Sequence, residues 1–157
     1  FANCGLEHPR TLLASGNVVF GAPDGLAGLA DRLEREARAR LGLDTVFILR
    51  DTPGWTAMVD ALPFETFAAA TPAALVAYAL RDPPRAGGAD ALAAAHQGPE
   101  AFRLIGQTLY ATYPAGIGRS RLTLALVERH LGTVATGRNW STVRKIADAL
   151  TAHRAAG

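Results

Sequence analysis

Between residues 75 and 136, turn and cap residues cut the chain into six pieces whose order admits few folds. Residues 75–80 are an unbroken apolar run of strand length. The loop Asp82-Pro83-Pro84-Arg85 ends it, because proline neither donates to a ladder nor continues a helix. Residues 89–96 carry apolar side chains at helical spacing. Residues 102–105 and 109–113 read as strands joined at Gly106-Gln107. Residues 119–131 read as a helix with Gly132 at its end, and 134–136 as a short strand. Asn139 then caps a last helix, whose apolar stripe is Trp140, Val143, Ala147 and Leu150.

The order β-α-β-β-α-β is that of the split βαβ, or ferredoxin-like, unit. The first half reads α-β-β-α-β, the same order one strand short. Residues 1–5 read as a helix end, and His8-Pro9 as a turn. Residues 11–14 and 18–20 read as strands around Ser15-Gly16-Asn17, a hairpin signal. Leu26, Leu29, Leu33, Ala37 and Leu41 line one helix face, and Gly42 stops it. The opposite face pairs Asp31 with Arg35, Glu34 with Arg38 and Glu36 with Arg40 at i,i+4. Residues 45–49 read as a strand, and Thr52-Pro53 opens another helix with Trp55, Met58, Val59 and Leu62 inward. In a split βαβ sheet the first strand is central, so a strand at 45–49 would have no neighbour from this half. The expectation is that an N-terminal strand outside this chain, or another segment, fills that place. The fold class expected is α+β, with two tandem ferredoxin-like subdomains at 1–62 and 73–138, a connector at 63–72 and a C-terminal helix at 139–157.

Charge is distributed unevenly. The net charge is +2, but residues 1–100 hold eight Arg and twelve Asp or Glu (−4), while residues 101–157 hold seven Arg, one Lys and two Asp or Glu (+6). A basic C-terminal half suits an anionic partner. The other reading is compositional: fifteen of the sixteen basic residues are Arg in an alanine-rich chain. No run approaches the ~18 apolar residues of a membrane span. A single cysteine, Cys4, excludes an internal disulfide framework and a cysteine zinc cluster. Phe1 opens the chain without the regions of a signal peptide, so a cytoplasmic protein whose start lies outside this chain is expected.

Three segments go beyond topology. They are Ser15-Gly16-Asn17-Val18-Val19-Phe20, Tyr113-Pro114-Ala115-Gly116-Ile117-Gly118-Arg119-Ser120-Arg121-Leu122-Thr123, and Thr136-Gly137-Arg138-Asn139-Trp140-Ser141-Thr142-Val143. In order and spacing they resemble a bacterial family, domain of unknown function 1697, over residues 1 to about 150. The resemblance implies two ferredoxin-like α+β subdomains in tandem and carries no established activity. Two departures stand out. Nothing here matches the glycine-rich first strand usual in that family, and Arg121 stands where its pattern has Lys, a planar fork replacing a compact ammonium.

The first candidate site is Gly116, Gly118, Arg119, Ser120 and Arg121. Two glycines let backbone N–H groups approach a ligand, a helix start favours an anion, and a hydroxyl with two guanidiniums adds to it. It is neither a Walker A loop nor G-x-G-x-x-G. The alternative is a plain turn with Ser120 as N-cap. A second candidate is Arg138-Asn139-Trp140. Asn139 is explained as a cap and Trp140 as core, unless Trp140 is exposed enough to stack on a base; Arg138 could extend a basic surface. Asn17 is a third, either a hydrogen-bond donor at a cleft mouth or a residue of a tight turn. His8, His96, His130 and His153 are scattered, so no metal site is expected. No G-x-S-x-G elbow and no RNP1-like run is present. No cofactor and no catalytic residue can be named. The function these residues favour is a binding module for a phosphate-bearing partner, nucleic acid or nucleotide. The alternatives are an enzyme acting on a phosphorylated or carboxylated small molecule in a cleft between the subdomains, with Arg119, Arg121 and Arg138 as the clamp, or a purely structural protein.

Overall fold

A computed structural model describes residues 4–14 and 16–156. Ser15, and most of the helix end read over residues 1–5, lie outside the described residues. The chain divides into two compact units, Phe1–Thr56 with Lys145–Gly157, and Ala57–Arg144. It is a mixed α+β chain with two antiparallel sheets and six helices among the described residues.

In the second unit, β3 (Leu75–Leu80), α4 (Gly88–Ala95), β4 (Phe102–Ile105), β5 (Thr108–Thr112), α5 (Leu124–Leu131) and β6 (Ala135–Asn139) follow in the order read from the sequence. The strands lie as β4-β5-β3-β6, all antiparallel, which puts the first strand of the unit in the interior. Every residue of β3 is buried, so both sheet faces are covered. Register divides the faces. Val76 opposite Ala111, and Tyr78 opposite Leu109 and Gly137, share a face. Val76, Tyr78, Leu109 and Ala111, with Leu80, Leu92, Tyr113, Leu122, Val127, Leu131 and Ala135, build the core under α4 and α5. The other face carries Ala77, opposite both Tyr110 and Arg138. There Tyr110 packs against Trp140, ring centroids 6.4 Å apart, and donates to the Met58 carbonyl at 2.6 Å. Tyr110 and Tyr113 therefore serve opposite faces, as alternation requires. The segment 63–72 contains a short helix, α3 (Glu65–Ala70).

The first unit holds the hairpin β1 (Glu7–Leu12) and β2 (Asn17–Gly21), the helix α1 (Leu29–Leu41) and a small core of Cys4, Leu6, Leu29 and Leu33. The helix α2 (Thr52–Asp60) starts here and ends in the second unit; α6 (Trp140–Ala156) does the reverse. Three expectations are corrected. His8-Pro9 is not a turn but part of β1, where the register shifts between Glu7 and Arg10 and His8 has φ 47°. An irregular residue absorbed into a strand as a bulge looks in sequence like a break.

Residues 45–49 belong to no strand among the described residues. A strand needs a neighbour, and here Glu34 of α1 accepts the Phe47 N–H at 2.9 Å. Phe47 and Leu49 pack on the small core, while Val46 is exposed. Among the described residues the sheet of this half thus has two strands, where three were read from the sequence. On α1, Glu36 pairs with Arg40 at 2.5 Å as expected, but Arg38 pairs with Asp44 past the helix end, and Glu34 serves the Phe47 backbone.

Candidate functional site

The loop from Tyr113 to Thr123 leaves an interior strand and enters α5. Its ends are pinned in the core. Tyr113 is 1% and Leu122 2% exposed, and the Tyr113 hydroxyl donates to the Leu122 carbonyl at 3.0 Å. That spends the Tyr113 proton, so the Tyr78 hydroxyl, 2.5 Å away, donates to Tyr113. Burial pushes both hydroxyls above the ordinary tyrosine range.

Between these anchors the loop faces solvent. Gly116 has φ 89° and ψ 149°, a conformation essentially closed to residues with a Cβ. A single 3-10 turn, Ile117–Arg119, follows. The helix does not begin at 119 as the sequence suggested. Thr123 caps α5, its hydroxyl accepting the Leu126 N–H at 3.2 Å. Ser120 instead folds its hydroxyl under the loop, accepting the Leu122 N–H at 3.0 Å. Arg119 and Arg121 on either side of it are exposed. Among the described residues neither forms an ion pair.

Near Ser120 lies Glu100, which pairs with His96; sequence reasoning missed this pair. The neighbouring Ser120 hydroxyl above all else holds the Glu100 carboxyl below the usual glutamate range; desolvation opposes this, and the Glu100 backbone N–H and His96 add to it. Glu100 Oε2 lies 3.0 Å from His96 Nε2, and the two side chains expose only 3% and 4% of their surface. Neither atom has a well-aligned hydrogen bond. The His96 ring stands edge-on to Phe102, centroids 6.0 Å apart. A Cβ on Gly98 would stand 2.3 Å from Glu100 Oε2 and 2.9 Å from His96 Cε1. Two ionisable residues four apart around Gly98-Pro99 were the available signal; nothing in the sequence showed that Ser120, twenty positions on, would lie near Glu100.

The remaining candidates lie apart from this cluster. Arg138 is on β6, on the sheet face opposite the core under α4 and α5. It is half-buried, with its guanidinium donating to the Thr136 hydroxyl at 2.7 Å and to the Gly137 carbonyl at 2.8 Å. Burial lowers its pKa from the ordinary arginine value. Asn139 caps α6, accepting the Thr142 N–H at 2.9 Å. Trp140 is 4% exposed, so its ring belongs to the core and offers no stacking platform. Asn17 closes the hairpin by donating to the Leu12 carbonyl at 3.2 Å. Among the described residues no group of three or more His, Cys, Asp or Glu could hold a metal ion. No helix among them is long and apolar enough to cross a membrane.

No curated protein matches the sequence. Among solved structures, the chain is similar to the conserved bacterial protein SP0830 from Streptococcus pneumoniae, with a TM-score of 0.73 and 19% identity over 96% of this chain and 84% of that one. At that identity the likeness is one of fold. A family model matches residues 1–110, which include the hairpin motif at 15–20; the loop at 113–123 and the motif at 136–143 lie past the matched stretch. The chain is a member of the DUF1697 family, proteins of unknown function.

Proposed function

We propose that this protein is a binding module for a phosphate-bearing partner, nucleic acid or nucleotide, and that the loop from Gly116 to Arg121 is where the partner docks. One observation carries the reading: Arg119 and Arg121 are exposed on a loop anchored at both ends, and neither is neutralised by a carboxylate among the described residues. Guanidiniums held in place without partners attract phosphate oxygens. The +6 balance of residues 101–157 favours the same partner. Arg138 extends the basic character on a different sheet face and is not needed by the loop. The tandem arrangement remains part of this reading.

The test is binding of labelled single-stranded DNA and RNA, with ATP and inorganic phosphate as competitors, to the wild type and to an Arg119→Ala/Arg121→Ala variant. Polymer binding that weakens with salt and with the substitutions supports the reading. Unchanged binding in the variant contradicts it.

A further inference from the structure

The fold brings together two of the histidines that lie scattered in the sequence. His8 on β1 and His153 on α6 face each other, ring centroids 6.4 Å apart and ring planes inclined at 65°. They come from opposite ends of the chain, and both belong to the first unit. His8 is exposed and His153 partly exposed, so solvent reaches the pair. The backbone at His8 is a second observation. Its φ of 47° lies in the left-handed region, where a residue with a Cβ is uncommon. It also precedes Pro9, and proline confines its predecessor to extended backbone. The register of β1 on β2 shifts at the same place, between Glu7 and Arg10. A bulge of this kind breaks the alternation of a strand and re-aims a side chain. Here it leaves His8 against α6. An edge contact between two solvated imidazoles gives packing little return for such a backbone, whereas strain of this kind is characteristic of ligand sites.

We propose that His8 and His153 are two ligands of a first-row transition-metal dication, Zn²⁺ or Cu²⁺. Neutral imidazole suits these ions, while Mg²⁺ and Ca²⁺ favour oxygen. Two imidazoles joined to one ion by metal–nitrogen bonds of about 2.0–2.1 Å hold their ring centroids roughly 5–6 Å apart. The observed pair stands just outside that range, and rotation about the side-chain bonds of two surface residues covers the difference. Two ligands reach one ion from different directions, so inclined rings fit. Among the described residues no group of three or more His, Cys, Asp or Glu forms a cage, so this is an open site. Its remaining positions fall to water or to donor atoms of a bound molecule. The two histidines meet only in the folded chain, so the metal ties β1 to α6 and stabilises the fold. The site is independent of the arginine loop, which belongs to the second unit.

The experiment titrates the untagged full chain with ZnCl2 by calorimetry, with MgCl2 as control and with His8→Asn, His153→Ala and His130→Ala alongside. Asparagine tolerates left-handed backbone, so His8→Asn removes the ligand and keeps the hairpin. The expected result is one Zn²⁺ per chain and no binding of Mg²⁺. Affinity should fall in His8→Asn and in His153→Ala by at least the ~10–100-fold that loss of an outer-shell partner costs, and stay unchanged in His130→Ala. Zn²⁺ should raise the melting temperature of the wild type and leave that of the two ligand variants unmoved. Electron paramagnetic resonance of the Cu²⁺ form reads the ligands directly, with two imidazole nitrogens expected in the wild type and one after either substitution. Absence of Zn²⁺ binding by folded wild type overturns the proposal. So does binding equally tight in His8→Asn and His153→Ala, which would mark an adventitious ion only. If His8→Asn fails to fold, His153→Ala and the copper spectrum decide.

Discussion

At the scale of single residues, the buried hydroxyls give the clearest accounting. Tyr113 both accepts from Tyr78 and donates to the Leu122 carbonyl. Tyr113→Phe therefore strips partners from two buried groups, and is expected to lower stability by about 1–3 kcal/mol. Tyr78→Phe removes one donor and leaves Tyr113 bonded to Leu122, so about 0.5–1.5 kcal/mol is expected. Denaturant titration of the two variants checks the order, and a larger loss in Tyr78→Phe would contradict the assigned donor direction. Tyr113 also anchors the exposed arginine loop, so the same substitution tests whether that anchoring supports binding.

At the scale of elements, most of the second unit was legible. Apolar periodicity located its four strands to within a few residues, because an apolar run between turn residues has few alternatives. Asn139 as a cap and Trp140 as core followed from spacing alone and agree with the structure. The start of α5 was misplaced. Ser120 and Thr123 are both good cap residues, and each hydroxyl accepts a backbone N–H, Ser120 from Leu122 and Thr123 from Leu126, a difference that residue type does not reveal. Residues 45–49 were misread because an apolar, β-branched run becomes a strand only with a partner. Thr123→Ala is expected to cost about 1 kcal/mol, within the usual range for a lost N-cap. Ser120→Ala should not fray α5. Amide hydrogen exchange in the first turn of α5 distinguishes them, and fraying in Ser120→Ala with none in Thr123→Ala would refute the cap assignment.

At the scale of the whole molecule, two dependences on solution conditions follow. Burial pushes the Tyr110 hydroxyl up to about 12, and raises Tyr78 and Tyr113 as well. A hydroxyl whose folded pKa lies above its unfolded value near 10 stabilises the fold fully below that value, and the contribution falls away as pH climbs through the folded value. Stability is thus expected to drop above about pH 10, by about 1.4 kcal/mol per pH unit for each such tyrosine, and tyrosinate absorbance should appear together with unfolding. Tyrosinate forming near pH 10 in protein that stays folded would show the rings to be accessible.

Charge is the second dependence, and it bears on function. The direct measurement is the salt dependence of single-stranded oligonucleotide binding by the wild type and by Arg119→Ala/Arg121→Ala. Each phosphate contact on a single strand contributes about −0.7 to the slope of log K against log salt. Loss of two contacts is therefore expected to make the slope shallower by about 1.4 and to weaken binding at low salt. Equal slopes in the two proteins, or no binding by folded wild type, would contradict the assignment of the Gly116–Arg121 loop as the docking site.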